Sequence, residues 1–239
     1  MPLPHTDRTR RTLLLIGASR GLGHAMAAKF LTQGWNVVGT VRGGGSRTLL
    51  HDLADEHRGR VEIETLDICD PGQLAALHGR LSGRTFDMLF VNAGTANRDP
   101  NQTIGAVSTD EFVHLMVTNA LSPMRVIECL EPCVAATGLI GVMSSGQGSV
   151  ANNESGQREL YRGTKAALNM FMRSFAARQA GTSRAMVVMA PGWVRTALGG
   201  PEGKLSIEES IPSLVNVLLA KQETPGLQYL DYLGRTVPW

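Results

Sequence analysis

A tyrosine and a lysine lie at a spacing that could support acid–base chemistry: Tyr161 and Lys165, in the segment YRGTK. Residues four apart on a helix project from the same face, so the two side chains would be neighbours. A phenol has an ordinary pKa of about 10, and a nearby ammonium group stabilises the phenolate and lowers that pKa. The pair could therefore donate and accept a proton near neutral pH. Isolated pairs at this spacing also occur on exposed helix faces, so other motifs must support the interpretation.

Three glycines follow a short apolar run near the start of the chain, in the segment GASRGLG at residues 17–23. Residues 24–31 after it have helical spacing, as in a strand–turn–helix unit. Glycines let a pyrophosphate approach the backbone closely, and a helix N-terminus presents free N–H groups and the positive end of its dipole. The segment predicts a dinucleotide-binding loop, with an ordinary strand–helix turn as the alternative.

The end of the second predicted strand indicates which dinucleotide binds. NAD-binding sites usually place Asp or Glu there, about 20 residues after the glycines, to bind the ribose hydroxyls. Here the segment is VGTVR, residues 38–42, which contains no carboxylate. Arg42 and Arg20 could instead bind a 2′-phosphate with their guanidinium groups. NADP(H) is thus predicted over NAD(H); the alternative is that both are ordinary surface arginines.

These motifs lie in an alternating series of apolar strands and helices. Strands are predicted at residues 12–16, 35–41, 61–66, 86–91, 139–143, 185–190 and 228–230. Helices are predicted at residues 24–31, 109–134, 159–179 and 206–221. Pro123 is expected to kink the second of these helices or to break its hydrogen bonding.

Such alternation predicts an α/β fold of the Rossmann type, a doubly wound parallel sheet of about seven strands with helices on both faces. The 239 residues are expected to form a single NADP-binding domain, residues 1–239, in which residues 1–11 are a flexible tail.

Composition argues against several other classes of protein. The net charge is +2, which gives no electrostatic signal for nucleic acid. No apolar run reaches the roughly 18 residues of a membrane span. The three cysteines show no C-x-x-C spacing and the N-terminus has no apolar signal core, so a cytoplasmic protein is predicted. The histidines share no ligand spacing, and no metal is predicted.

The motifs gain specificity from their order. The glycine loop, an Asn-Ala-Gly segment at residues 92–94, a serine pair at residues 144–145 and the Tyr161/Lys165 pair each follow a strand or lie in the next helix. Open parallel sheets bind ligands at that edge. In this combination the chain resembles the short-chain dehydrogenase/reductase family, from about Thr12 to its end. Residues 161–169 and 230–239 are similar to its carbonyl-reducing branch, related to the sniffer and C-factor proteins.

The resemblance implies hydride transfer between NADP(H) and a carbonyl or secondary alcohol substrate. Tyr161 would protonate the developing alkoxide, and Lys165 would lower the tyrosine pKa and bind the nicotinamide ribose. Ser145 would hydrogen-bond the carbonyl oxygen, and Asn119 would order a helix and a water molecule that connects Lys165 to solvent. The implied cofactor-binding residues are Gly17, Ser19, Arg20, Gly21, Leu22, Gly23, Arg42, Asp67, Ile68, Asn92, Ala93, Gly94, Tyr161, Lys165, Pro191, Gly192, Val194 and Thr196.

Two features depart from the family pattern. Ile16 stands where Thr or Ser often precedes the first glycine, which removes one side-chain hydrogen bond at most. The stretch from Ser145 to Tyr161 is a few residues longer than usual. Ser144 and Ser149 therefore remain alternatives to Ser145.

The substrate pocket is expected to form from residues 95–103, the loop after Ser145 and residues 193–208. No cluster of charges predicts a phosphorylated or acidic substrate, and the sequence does not choose between a ketone, an aldehyde, a quinone and a steroid-like alcohol. The helices at residues 109–134 and 159–179 resemble those of the family's dimer interface, so a homodimer or homotetramer is expected.

Two other functions fit the same fold. A non-catalytic NADP-binding regulatory protein would keep the glycine loop, but it would not need Ser145, Tyr161 and Lys165 together. An epimerase or dehydratase usually carries a longer C-terminal substrate region than this chain has.

Overall fold

The computed structural model describes residues 10–43 and 45–239. Its strands are β1 Thr12–Ile16, β2 Asn36–Val41, β3 Val61–Thr65, β4 Phe86–Val91, β5 Val134–Met143, β6 Ala185–Ala190 and β7 Gly226–Asp231. Its α-helices are α1 Gly21–Thr32, α2 Leu49–Glu56, α3 Pro71–Leu81, α4 Thr109–Met116, α5 Ser122–Leu130, α6 Glu159–Arg178 and α7 Ile207–Lys221.

All of these strands pair in parallel, in the order β3-β2-β1-β4-β5-β6-β7. The chain runs outward from β1 to β3, crosses back to β4, and then runs outward in the other direction to β7. The winding reverses between β1 and β4, and ligands of such sheets bind beyond the carboxyl ends of the strands at that point. The predicted doubly wound parallel sheet is confirmed.

Strand β1 shows why helices cover both faces of the sheet. Its residues Leu13, Leu14, Leu15 and Ile16 are all fully buried, and successive side chains of a strand point to opposite faces. Leu14 and Ile16 join a core that contains residues of α3, α5 and α6. Leu13 and Leu15 join the opposite core, which contains residues of α1, α2 and α7.

The predicted helix at residues 109–134 is helical as far as Leu130 but is wrong in its end. A π turn, Val117–Leu121, separates α4 from α5, and β5 already begins at Val134. Pro123 lies in the first turn of α5 and has no N–H to donate to the carbonyl of Asn119, four residues earlier. The hydrogen bonding is therefore broken near Pro123 as predicted, and the wider turn that results carries Asn119. Such turns are frequent at functional sites.

The predicted N-terminal tail lies outside the described residues except for Arg10 and Arg11. Arg11 contacts the folded domain: its Nη1 donates to Gln222 Oε1 at 3.2 Å, and its guanidinium lies 5.8 Å from the centre of the Trp35 ring.

Candidate active site

The loop between β1 and α1 leaves a concave backbone surface at a helix N-terminus. Gly17 has a φ of +88°, and a Cβ there would lie 2.9 Å from the Cβ of Ala93. A Cβ on Gly23 would lie only 2.0 Å from the carbonyl oxygen of Gly17. The residue that caps α1, Arg20, makes no side-chain cap, so the N–H groups of the first turn remain available. These residues fit a pyrophosphate.

Two side chains outside this loop hold it in place. The Asn92 Nδ2 donates to the Gly17 carbonyl at 2.8 Å, and the Gly17 N–H donates to Thr40 Oγ1 at 2.8 Å. Ile16 cannot form a side-chain hydrogen bond to this loop, and Thr40 supplies one instead. The threonine lies in β2, and nothing in the sequence pattern singles it out.

The two predicted phosphate-binding arginines, Arg20 and Arg42, are exposed. Neither guanidinium forms an ion pair within residues 10–43 and 45–239. Arg42 lines a cavity of about 540 Å³ beside β3. Near the same end of β3, Ile68 is buried and the Asp67 carboxylate accepts from the backbone N–H of Cys69 at 2.9 Å.

A second cavity, of about 390 Å³, joins segments that are far apart in the sequence. Tyr161 from the first turns of α6 and Ser145 from the end of β5 line it, together with Leu22 of the glycine loop. The loop after β6 contributes Pro191, Gly192, Val194 and Thr196. The structure therefore brings the predicted proton donor to the same space as part of the predicted cofactor site.

Tyr161 and Lys165 are both buried side chains on one face of α6. The Lys165 Nζ lies 5.8 Å from the centre of the Tyr161 ring and donates to the carbonyl oxygen of Met143 at 3.0 Å. The Ser145 side chain acts on the Tyr161 hydroxyl as a hydrogen-bond partner that lowers its pKa. Ser145 Oγ also accepts from the N–H of Gln147 at 3.1 Å.

The pKa values of this pair differ from the sequence-based expectation. Burial raises the pKa of Tyr161 to about 12, against the lowering effects of the Ser145 hydrogen bond and the Arg158 charge. Burial also lowers the pKa of Lys165 to about 8. The expected lowering of the tyrosine pKa by Lys165 is thus corrected, because desolvation outweighs the neighbouring charges. Tyr161 is a neutral phenol at neutral pH, which is the form that can donate a proton.

Asn119 links the π turn to the active-site loop after β4. Its Oδ1 accepts from the Thr95 N–H at 2.8 Å, and its Nδ2 donates to the Thr95 carbonyl at 2.8 Å and to Thr164 Oγ1 at 3.1 Å. A Cβ on Gly94 would lie 3.4 Å from Asn119 Oδ1 and 3.5 Å from Lys165 Nζ. Asn119 and Lys165 therefore converge on Gly94.

The three candidate serines have different partners. Ser144 is buried and its hydroxyl donates to Asn169 Oδ1 at 2.7 Å. Ser149 is buried beneath its loop, where its Oγ accepts from the Asn152 N–H at 3.1 Å. Among these three, only Ser145 acts on Tyr161, as the hydrogen-bond partner that lowers the pKa of its phenol. The different partners of the three hydroxyls favour Ser145 over the two alternatives.

Two further residues support the serine loop. Asn169, besides binding Ser144, donates from Nδ2 to the Gly148 carbonyl at 3.1 Å. Tyr229 of β7 donates from its hydroxyl to the Ser145 carbonyl. Asn169 lies four residues after Lys165 on the same helix, so helical spacing could have indicated it. Tyr229 reaches the site from the last strand, and only the tertiary fold reveals its role.

In the part of the chain that the structure describes, no three His, Cys, Asp or Glu side chains come together as a metal site. Over the same residues, no helix combines the length and the apolar character that crossing a bilayer requires.

Known proteins share both the sequence and the architecture of this chain. Residues 17–212 match the family model described as enoyl-(acyl carrier protein) reductase. A structure described as a short-chain dehydrogenase/reductase from Burkholderia multivorans with bound NADP is 69% identical, with a TM-score of 0.95, and the match covers 96% of this chain and 100% of that one. A carbonyl reductase from Pseudomonas aeruginosa in complex with NADP is 31% identical, with a TM-score of 0.88 and coverage of 97% and 100%.

A further similar protein is not named as a reductase or dehydrogenase. The C-signal protein of Myxococcus xanthus is 32% identical over 155 residues, which are 64% of this chain and 92% of that protein.

Proposed function

This chain belongs to the short-chain dehydrogenase/reductase family, and from that premise we propose that it is an NADP(H)-dependent oxidoreductase of carbonyl or secondary alcohol substrates. One observation carries the proposal. The cavity lined by Ser145 and Tyr161 is also lined by Leu22 of the glycine loop and by the loop after β6. A proton donor and a nicotinamide could therefore meet the same substrate carbonyl.

The described residues, in one domain, would hold NADP(H) along the carboxyl edge of the sheet. The free N–H groups at the start of α1 would bind the pyrophosphate, and Arg20 and Arg42 would bind the 2′-phosphate. NADP is bound in the similar structures from Burkholderia multivorans and Pseudomonas aeruginosa, which supports this choice. Three further segments would complete the site: Asp67 and Ile68, the residues from Asn92 to Gly94, and the loop after β6.

When bound, NADPH supplies the hydride that reduces the carbonyl carbon. Tyr161 gives its phenolic proton to the carbonyl oxygen as negative charge develops there. Ser145 donates a hydrogen bond to the same oxygen, which stabilises that charge. The N–H of Gln147 fixes the Ser145 hydroxyl from one side, so its orientation is set before the substrate enters.

Lys165 and Asn119 would support the reaction without donating the proton to the substrate. Lys165 would bind the nicotinamide ribose, and its ammonium would favour the phenolate that Tyr161 becomes after it has donated its proton. Asn119 would position the loop that carries Gly94, because three hydrogen bonds tie its amide to Thr95 and Thr164.

The test is the oxidation of NADPH, followed by its absorbance, with a panel of dicarbonyls, quinones and aldehydes. We expect turnover of at least one class, abolished by substitution of Tyr161. Tight binding of NADPH without turnover of any compound would contradict the proposal and favour the non-catalytic regulatory protein.

We also propose that the protein is a cytoplasmic homodimer or homotetramer. Phe112 and Val113 of α4 and Met170 and Phe171 of α6 are exposed by 42%, 50%, 60% and 42%. Both helices lie in the segments that resemble the family's dimer interface. Contact with a second copy of the chain would bury this apolar surface. Sedimentation of the wild type and of Phe171→Glu tests this: we expect an oligomer that the new charge dissociates.

The proposed compartment is inferred from the cysteines. Cys69, Cys129 and Cys133 form no disulfide, which fits a reducing compartment. Cell fractionation would test the location, and recovery outside the cytoplasm would contradict it.

A further inference from the structure

The cavity that contains Tyr161 also holds charged side chains that the sequence pattern did not place there: Arg158, Asp231 and Arg235. Arg235 and Asp231 form an ion pair, with Nε 2.7 Å from Oδ2, so their charges offset each other. The Arg158 guanidinium forms no ion pair with any described residue. The lining therefore carries an excess positive charge at Arg158.

The backbone around Arg158 is held in an unusual conformation. Gln157 and Arg158 have φ values of +60° and +51°, in the left-handed region that residues with side chains seldom adopt. The Arg158 N–H donates to the Pro100 carbonyl at 3.0 Å, and Arg162 Nε donates to the Gln157 carbonyl at 2.9 Å. Such conformations cost free energy and often occur at functional sites. Here the turn places Arg158 in the cavity wall, three residues before Tyr161.

An aromatic ring supports the guanidinium from one side. The Cζ of Arg158 lies 5.9 Å from the centre of the Trp193 ring, within the range of a cation–π interaction. Trp193 is itself fixed by the bond from its Nε1 to the Gly199 carbonyl, at 2.7 Å. No side-chain hydrogen bond of Arg158 is formed within residues 10–43 and 45–239, so its N–H donors remain available to a ligand.

We propose that Arg158 determines substrate specificity by binding a carboxylate, and that the natural substrates are oxo acids with an apolar body. This inference rests on the function proposed above. A guanidinium matches a carboxylate with two parallel hydrogen bonds. Trp193, Val194 and Leu198 of the same cavity would contact the apolar body. Arg158 is close enough to the Tyr161 phenol for its charge to lower the phenol's pKa. One small molecule could therefore place its carboxylate at Arg158 and its reacting carbonyl at Tyr161.

Matched acids and esters test the proposal. Benzoylformate and benzoylpropionate differ in the distance from carbonyl to carboxylate, and their methyl esters keep the shape without the charge. The ratio of kcat/KM for acid over ester measures the preference. In the wild type we expect at least one acid to be preferred by about tenfold or more, the scale of a charge-assisted hydrogen bond.

The main variant is Arg158→Asn, because asparagine tolerates the left-handed backbone. We expect the acid-over-ester ratio to fall by about 10- to 100-fold, mainly through KM for the acid. Arg158→Lys keeps the charge without the two-pronged geometry, and we expect an intermediate ratio. The double variant Arg235→Gln/Asp231→Asn removes that ion pair from the same lining without changing its net charge, so we expect less than about a threefold change.

Three results would overturn the inference: no preference for either acid in the wild type, an equal loss for acid and ester in Arg158→Asn, or an equal loss of preference in the Arg235→Gln/Asp231→Asn double variant. Failure of the proposed function looks different, because the wild type would then turn over neither acids, esters nor any neutral carbonyl. Turnover of the esters in Arg158→Asn shows that this variant folds; if it does not fold, the ratio in Arg158→Lys decides.

Discussion

The carboxyl edge of the sheet holds two regions that work by different physics. The β1–α1 loop presents backbone N–H groups, and its glycines matter because of the space that a side chain would fill. The region between β5 and α6 presents buried side chains, and burial moves the pKa of Tyr161 up and that of Lys165 down. One region depends on shape, and the other depends on individual ionisable groups.

This difference means that substitutions should separate binding from chemistry. Changes in the glycine loop should alter cofactor affinity and stability together, since the backbone is both scaffold and binding group. Changes at the buried phenol should alter the rate while NADPH remains bound.

The largest effect should come from Tyr161→Phe. Removal of the phenolic proton should lower kcat by at least about 100-fold, the scale of a lost general acid, with the dissociation constant of NADPH nearly unchanged. Steady-state kinetics and a fluorescence titration of NADPH measure the two quantities. Rates near those of the wild type would remove Tyr161 from the mechanism.

Gly23→Ala should disrupt the backbone conformation of the β1–α1 glycine loop. The new Cβ would lie 2.0 Å from the carbonyl oxygen of Gly17, which is backbone and cannot move aside. We expect a loss of about 1–3 kcal/mol in the free energy of unfolding, as for other overpacked sites, together with weaker NADPH binding. Urea denaturation provides the measurement.

Gly79→Ala is the matched control for this substitution. Gly79 lies in α3 with no atom within 4 Å of the added Cβ, so we expect a gain of about 0.5–1 kcal/mol. Equal effects of the two alanines would show that the crowding at Gly23 is not real.

Arg42→Ala should weaken NADPH binding by about tenfold, the lower end for a lost charge-assisted hydrogen bond, and leave NADH binding nearly unchanged. The reason is that only NADPH carries the 2′-phosphate. Titration with both dinucleotides measures the difference. An equal change in the two affinities would contradict the assignment of NADP(H).

The smallest effect is a pH dependence of carbonyl reduction. Tyr161 stays protonated because its pKa is about 12, whereas Lys165 loses its charge as the pH rises through its pKa of about 8. We expect kcat/KM for reduction to be constant below that pH and to decline above it. In Lys165→Arg, whose guanidinium stays charged, the decline should disappear from this range. A wild-type profile that stays flat through pH 8 would contradict this role of the ammonium.

Much of the fold could be predicted because its signals are local. The apolar runs predicted β1, β4 and β6 with the same first and last residues as in the structure. The long helix at residues 109–134 was harder to predict, because helical spacing continues through the π turn and into the start of β5 at Val134. Hydrogen-bond geometry, which the side-chain pattern does not encode, separates these elements.

The sequence by itself determined the type of chemistry: a glycine loop, a phenol, an amine and a hydroxyl, arranged in an order that a parallel sheet brings to one edge. Only the tertiary structure decided which serine lowers the pKa of the phenol and in which direction the pKa values of Tyr161 and Lys165 move. It also decided that Arg158 enters the cavity without a carboxylate partner among the described residues. The physical reason is that spacing along a helix or strand is a local property. Desolvation and charge pairing, in contrast, depend on every segment that folds over a side chain.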